Sequence, residues 1–458
     1  MLDVLEKGIN AGQQMADYVE LRAEERVLTF VTYCNRRVDN VNVTIHSGVG
    51  CRVLYDGAWG FSCGQVKNID QLVRDTCSLA KTASSHRKER IELQEISPKQ
   101  DERVLTCKMP LHEIPLERKI SRLDTLYNRI KRRDPRIGAV TIDYEDSHGV
   151  KYLVTSEGTA IIQETSHLYN HCWVTGKENG TLTATRDMVG STEEGFEFFE
   201  KESEEKIAER VCNRVILQLE GRPPRKGTFP CVLGPRVVGI VAHEALGHLA
   251  EADLTGSSPF SNRMGERVST DSVTMVDAPI KGTFGGAAYD DEGVAMGQVD
   301  IIKKGILCGL LTNREYAYRT GIPVCGAARA ESFLYPPLIR MRNTFFTRGD
   351  FHEEELLEGI KFGYYCKDFR GGEADLSSWF QIGVQEAFEI ENGEIGAPIK
   401  DLSISGLATE ALLSIEGIGD TLEFFGGYCG KGQQAAASAG GPPLRFKEGA
   451  ILFGGREP

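Results

Sequence analysis

The sequence predicts an α+β protein in two parts. An N-terminal α+β domain spans residues 1–220, with an antiparallel sheet and flanking helices. A β-rich C-terminal domain spans residues 221–458 and carries one apolar helix. Three observations support this. Runs of alternating apolar and polar residues are joined by Asp-Gly and Asn-Gly pairs, the signature of antiparallel hairpins. Amphipathic helices occur without regular strand–helix–strand alternation, which argues against a doubly wound sheet. Gly221-Arg222-Pro223-Pro224 then separates a helical pattern from a Gly-rich remainder.

Residues 2–15 place Leu2, Leu5, Ile9 and Met15 at near-helical spacing. Strand patterns follow at 17–22, 27–33, 41–45 and 48–55. The last leads through Asp56-Gly57 into Ala58-Trp59-Gly60-Phe61, a hairpin signal. Helices are expected over 68–85 and 116–132, the second turning Ile120, Leu123, Leu126, Tyr127 and Ile130 inward. A polar stretch, 87–103, lies between them. A second set of strands spans 137–190, with turns at His148-Gly149, Glu157-Gly158 and Asn179-Gly180. Residues 204–219 form a helix with Ile207, Val211, Val215 and Ile216 on one face. Beyond 221 come a buried helix over 234–251, Gly-rich loops and short strands near 281–286, 297–302 and 389–395, and a short helix over 405–416. Asn392-Gly393 marks a hairpin turn.

Composition narrows the function. With 53 Lys and Arg against 66 Asp and Glu, the net charge is −13, which repels a row of phosphates. The basic clusters (Lys131, Arg132, Arg133 and Arg136; Arg222, Arg225 and Lys226) read as solvated helix ends and loops, so direct nucleic-acid binding is disfavoured. No apolar run approaches the ~18 residues of a membrane span. The N-terminal residues lack the apolar core of a signal peptide. Twelve Cys are scattered without a CxxC pair, which points to reduced thiols and a cytoplasmic protein.

The most informative stretch is His243-Glu244-Ala245-Leu246-Gly247-His248, at the end of the apolar helix. Zinc proteases use two neutral imidazoles to hold the metal and an adjacent Glu as general base for its bound water. Their usual spacing is HExxH, with the two His about 40° apart around a helix. Here it is HExxxH, about 140° apart in a regular helix, too far for one ion. A π-type widening would bring the two His onto one face, and Gly247 eases such a distortion. The alternative is two unrelated His near a helix end.

A third ligand is required. Cys429, in Gly427-Tyr428-Cys429-Gly430-Lys431-Gly432-Gln433, sits where glycines let a thiolate approach a metal, and Lys431 would favour the thiolate. An inert Cys is the other reading. Glu251 and Asp253, just after the motif, are the substitutes if Cys429 fails. The Gly430-x-Gly432-x-x-Ala435 spacing fits a dinucleotide fingerprint only loosely and has no βαβ unit around it.

These segments, together with Asp17-Tyr18-Val19-Glu20-Leu21-Arg22, Gly48 to Phe61 and Asn392-Gly393-Glu394-Ile395, resemble the TldD/PmbA family of metalloproteases, historically named modulators of DNA gyrase. The resemblance runs along nearly the whole chain. It implies an α+β N-terminal domain, a β-rich C-terminal domain and dimers whose active site faces an enclosed cavity. It further implies Zn²⁺ held by His243, His248 and Cys429, with Glu244 as base. One branch of the family lacks the metal motif, and this chain resembles the TldD branch that keeps it. The implied substrates are unfolded peptides, and the implied partner is a second copy or a metal-less paralogue. No substrate-binding residue is carried over.

The expected activity is zinc-dependent hydrolysis of unfolded or extended peptides. Two rivals stand beside it: a non-catalytic partner subunit, and a regulator of DNA gyrase or topoisomerase. Gly-rich segments at 282–286 and 426–432 are expected either to let a substrate backbone approach or only to serve turns.

Overall fold

A computed structural model describes residues 1–455. The N-terminal half comprises α1 (Leu2–Gly12), β1 (Tyr18–Cys34), β2 (Arg37–Tyr55), β3 (Ala58–Gly64), α2 (Ile69–Ser84), β4 (Gln100–Arg103), α3 (Leu116–Arg133), β5 (Ile137–Thr155), β6 (Ala160–Glu178), β7 (Thr181–Thr192), α4 (Phe198–Lys201) and α5 (Glu204–Glu220). The sheet runs β3-β2-β1-β5-β6. Antiparallel β7 and the short parallel β4 share the far edge of β6. The protein is α+β, as its alternation patterns require.

The helices cover this sheet because their apolar stripes match its buried positions. Leu5 and Ile9 of α1 and Val73 and Cys77 of α2 pack on Leu21, Val49 and Val53. Leu123, Leu126 and Ile130 of α3 meet Ile207, Val211 and Val215 of α5 over Ile142 and Val174. Ile120 and Tyr127 sit half-buried at the rim, and Ile216 is also half-buried.

Several local expectations are corrected. The first helix stops at Gly12 and leaves Met15 exposed. The strand patterns at 17–22 and 27–33 belong to one strand, β1, and those at 41–45 and 48–55 to β2, because each pairs with its neighbour along its whole length. His148-Gly149 is not a turn but the middle of β5. A Cβ at Gly149 would lie 2.1 Å from Glu25 O on β1, so the glycine answers a close cross-strand approach. Asp56-Gly57, Asn179-Gly180 and Asn392-Gly393 do turn the chain, each with both residues at positive φ. The polar stretch contains β4.

The second half holds a nine-stranded and a six-stranded sheet. In the first, the hairpin Phe362–Ala374 and Trp379–Glu391 is central. The six-stranded sheet ends on the hairpin Glu423–Gly430 and Gln434–Gly441, with Glu423–Gly430 as its outermost strand. The expected helix over 405–416 is mostly not one. Leu402–Leu407 is a strand with Leu402 and Ile404 buried, and only one α turn and one 3₁₀ turn precede the next strand at Ile415.

The apolar helix begins at α6 (Pro235–Ile240). It continues as a π-helix over Val241–Gly247 and a 3₁₀ turn over His248–Ala250. Val237, Val238, Val241, Ala242, Ala245 and Leu246 share one core with Phe380, Ile382, Ala437 and Ala439. A Cβ on Gly239 would lie 2.3 Å from the Gly440 backbone nitrogen, so the helix rests directly on the strand Gln434–Gly441.

Candidate metal centre

The π-helical segment resolves the spacing problem of HExxxH. Its wider turn ends at His248 and brings His243 and His248 to one side, with ring centroids 5.5 Å apart and planes at 83°. Gly247 serves a second purpose there, since a Cβ on it would meet Met341 Sδ at 2.1 Å.

Cys429 enters from the strand Glu423–Gly430. Its Sγ lies 3.5 Å from His248 Nε2, across 181 residues of sequence. One ligand atom from each of His243, His248 and Cys429 lies within 4.8 Å of the others. Glu244 stands on the open side of the cluster, one carboxylate oxygen 3.7 Å from His248 Nε2 and its side chain about a third exposed.

Electrostatics favour the thiolate of Cys429, held by the histidines beside it; a bound cation would take the place of their protons. Burial by itself would raise the Cys429 thiol, but His243 and His248 beside it bring it down to about 4. Conversely, burial would lower His248, yet Cys429 and Glu251 raise it to about 10, and Cys429 raises His243 against the same burial penalty. Two imidazoles and a thiolate are the borderline-soft ligands zinc prefers. His243 also carries a buried ring nitrogen, Nδ1, with no hydrogen-bond partner, an orphan that costs free energy unless something satisfies it. The residues present therefore fit a metal ion.

Glu251 and Asp253, the alternative ligands, are placed differently. Glu251 Oε2 lies 2.8 Å from His248 Nδ1, the ring nitrogen opposite the cluster, and its side chain is fully buried. Asp253 bonds Lys431 at 2.8 Å. Lys431 does not face the thiol: its Nζ donates to Glu251, Asp253 and the Ile339 carbonyl. Sequence reasoning missed both this use of Lys431 and the role of Arg340. The buried Arg340 guanidinium donates to the Cys429 carbonyl at 2.5 Å and the Gln433 carbonyl at 2.7 Å. A signal for Glu251 was available: an acidic residue inside Leu249-Ala250-Glu251-Ala252 needs a buried partner.

A cavity of about 1130 Å³ lies beside this cluster rather than in it. Arg26, Glu145, His167, Tyr428 and Ala436 are among its walls. Tyr428 follows strand alternation to the face opposite Cys429, and its hydroxyl donates to Glu145 at 2.6 Å. Tyr428 packs with Tyr169 and Phe284, ring centroids 5.4 and 5.1 Å away.

The expected glycine approaches divide in two. A Cβ at Gly285 would lie 2.1 Å from Arg342 O, one at Gly286 2.7 Å from Ile280 O, and one at Gly426 2.7 Å from the Phe284 side chain. Those glycines serve internal packing. Gly427 has open space, and a Cβ at Gly430 would meet only the Gln434 side chain.

Known proteins place this chain in a family. Residues 19–80, 110–219 and 226–451 match, in turn, PmbA/TldA metallopeptidase domain 1, the central domain and the C-terminal domain. A metalloprotease of Methanocaldococcus jannaschii is 33% identical over 452 residues, covering 97% of this chain and 98% of that protein. The chain belongs to the PmbA/TldD family of metallopeptidases. A zinc metalloprotease TldD homolog of Saccharolobus solfataricus is 32% identical over 436 residues, covering 94% of this chain and 96% of its own length. The PmbA/TldD fold extends to TldE from Thermococcus kodakarensis, with a TM-score of 0.77 over 99% of this chain and 100% of that one; at 15% identity the likeness is one of fold alone. In this PmbA/TldD chain, His243, His248 and Cys429 come from sequence segments that only the fold unites.

Proposed function

We propose that this chain is a zinc-dependent peptidase that cleaves unfolded or extended peptides. The observation that carries the reading is the meeting of His243, His248 and Cys429 within 4.8 Å, with Glu244 beside them on the open side. A zinc ion bound by these three side chains supplies Lewis acidity, polarising the scissile carbonyl and easing the loss of a proton from water. Glu244, partly exposed, takes that proton as general base and delivers it to the leaving amine. Glu251 holds the His248 ring by its Nδ1–H.

The substrate form follows from the edge strand. Among the described residues no strand pairs with the outer side of Glu423–Gly430, and Gly427 and Gly430 leave it uncrowded next to Cys429. An extended peptide adds there by main-chain hydrogen bonds, which gives affinity with little sequence preference. A folded domain has already used those groups.

The remaining readings concern organisation. Residues 1–220 and 221–458 act as two folding units, and the protein works in the cytoplasm as a dimer, either of two copies or with a metal-less paralogue. The dimer surface is the part of β2 before residue 49, which no strand among the described residues pairs with on its outer side and which exposes Val38, Val41, Val43 and Ile45. Regulation of a topoisomerase by direct DNA contact is disfavoured by the −13 charge.

The deciding experiment is metal content of the purified chain, with hydrolysis of an unstructured peptide assayed before and after chelation. Stoichiometric zinc and chelator-sensitive, zinc-restored cleavage support the reading. A metal-free chain, or cleavage indifferent to chelation, overturns it.

A further inference from the structure

Lys431 has the contacts of a built part rather than a surface lysine. It sits in the turn joining Glu423–Gly430 to Gln434–Gly441, two residues after Cys429. Its side chain is 16% exposed, and Nζ has three acceptors: Glu251 Oε2 at 3.1 Å, Asp253 at 2.8 Å and the Ile339 carbonyl at 3.0 Å. An ammonium has three protons, so it is saturated. The Glu251 oxygen it meets is the one 2.8 Å from His248 Nδ1.

These contacts close a ring. From Cys429 the chain leads to Lys431, whose ammonium binds Glu251; Glu251 holds the His248 ring; and His248 Nε2 returns to Cys429 Sγ at 3.5 Å. Among the described residues, this ring ties the hairpin that carries Cys429 to the carboxylate that orients His248. Arg340 fixes the same hairpin through the Cys429 and Gln433 carbonyls.

We infer that Lys431 is a positioning residue for the metal centre, acting through Glu251. It sets the His248 ring and the Cys429 thiolate in register, so that both reach one ion together. Lys431 also offsets the charge of the buried Glu251 and the partly buried Asp253, which leaves Glu251 able to accept from Nδ1 without crowding by Asp253. A lysine suits the place because a compact ammonium satisfies three acceptors at tetrahedral angles, which a planar guanidinium does not. The inference rests on the metal-centre reading given above.

The test uses Co²⁺ as the probe in the full-length protein. Affinity is read by chelator competition, and the thiolate-to-cobalt charge-transfer band reports the Cys429 bond. Lys431→Met is expected to weaken binding by about 10–100-fold, the range for loss of an outer-shell partner, and to reduce that band. Glu251→Gln is expected to weaken it similarly. If Lys431 acts through Glu251, adding Lys431→Met to Glu251→Gln costs much less than it does alone. Lys431→Arg is expected to fold and bind with intermediate affinity, and it replaces the Met variant should that one unfold. Wild-type affinity and spectrum in the Lys431 variants, or fully additive effects with Glu251→Gln, overturn the inference. A wild-type chain that binds no Co²⁺ or Zn²⁺ overturns the metal-centre reading itself, a separate outcome.

Discussion

Cys429 Sγ lies 3.5 Å from His248 Nε2, although 181 residues separate them. The contact joins the end of a π-helical segment to the outermost strand of a sheet. Neither element could form the cluster alone: the helix offers two imidazoles, and the strand supplies the thiolate. Both are held by the same core, in which Val241, Ala245 and Leu246 pack with Phe425 and Ala437. Disturbing either the chemistry or this packing should therefore be measurable.

Glu244→Gln should retain zinc and lose about 10²–10⁴-fold in peptide hydrolysis, the usual worth of a general base. Its side chain is about a third exposed, so the change leaves the core untouched. Turnover of an unstructured peptide near the wild-type rate would refute the assignment.

Cys429→Ser should release zinc, because an alcohol is a far poorer ligand than the thiolate that His243 and His248 stabilise here. Glu251 and Asp253 are already engaged by His248 and Lys431 and cannot readily take over. Elemental analysis after dialysis checks this; full occupancy in the Ser protein would rule the ligand set out.

Gly239→Ala pits two effects against each other. Alanine favours a helix over glycine by about 1 kcal/mol. The added methyl, however, would lie 2.3 Å from the Gly440 backbone nitrogen, which cannot rotate away as a side chain could. Overpacking of this kind costs about 1–3 kcal/mol, so net destabilisation is expected, with weaker zinc retention as the helix lifts from the hairpin. Denaturant unfolding of the metal-free protein, showing equal or greater stability, would contradict it.

Substrate form can be tested with one protein and a core-destabilised variant of it. The unfolded variant should be cut at several sites while the folded parent survives. Equal rates for the two, or cleavage strictly dependent on one residue type beside the cut, would exclude strand addition at Gly427–Gly430 as the mode of binding.

Replacing Val43 and Ile45 together by Lys should convert a dimer to a monomer. Ile45 is 75% exposed, so the effect on the stability of the isolated subunit should stay within about 0.5 kcal/mol. Light scattering on the eluting protein reads the mass directly. A dimer that persists in the double variant places the interface elsewhere, and a monomeric parent removes the dimer of two copies.

What the sequence determined by itself is local. Period-2 and 3.6-residue patterns decided most strands and helices, 405–416 excepted, and Asp56-Gly57, Asn179-Gly180 and Asn392-Gly393 decided where hairpins turn, because those pairs tolerate positive φ. HExxxH carried its own geometric demand: two imidazoles five residues apart can share an ion only if the helix widens, and Val241–Gly247 does. The register of long strands was less legible, since His148-Gly149 reads as a turn until β1 lies against it. Only the tertiary structure decided that Glu251 stands behind His248 rather than on the metal side, and that Lys431 turns from the thiol to Glu251 and Asp253. The physical reason is that a buried charge takes whichever partner the packing brings within reach, and here packing joins a helix end to a hairpin 180 residues later.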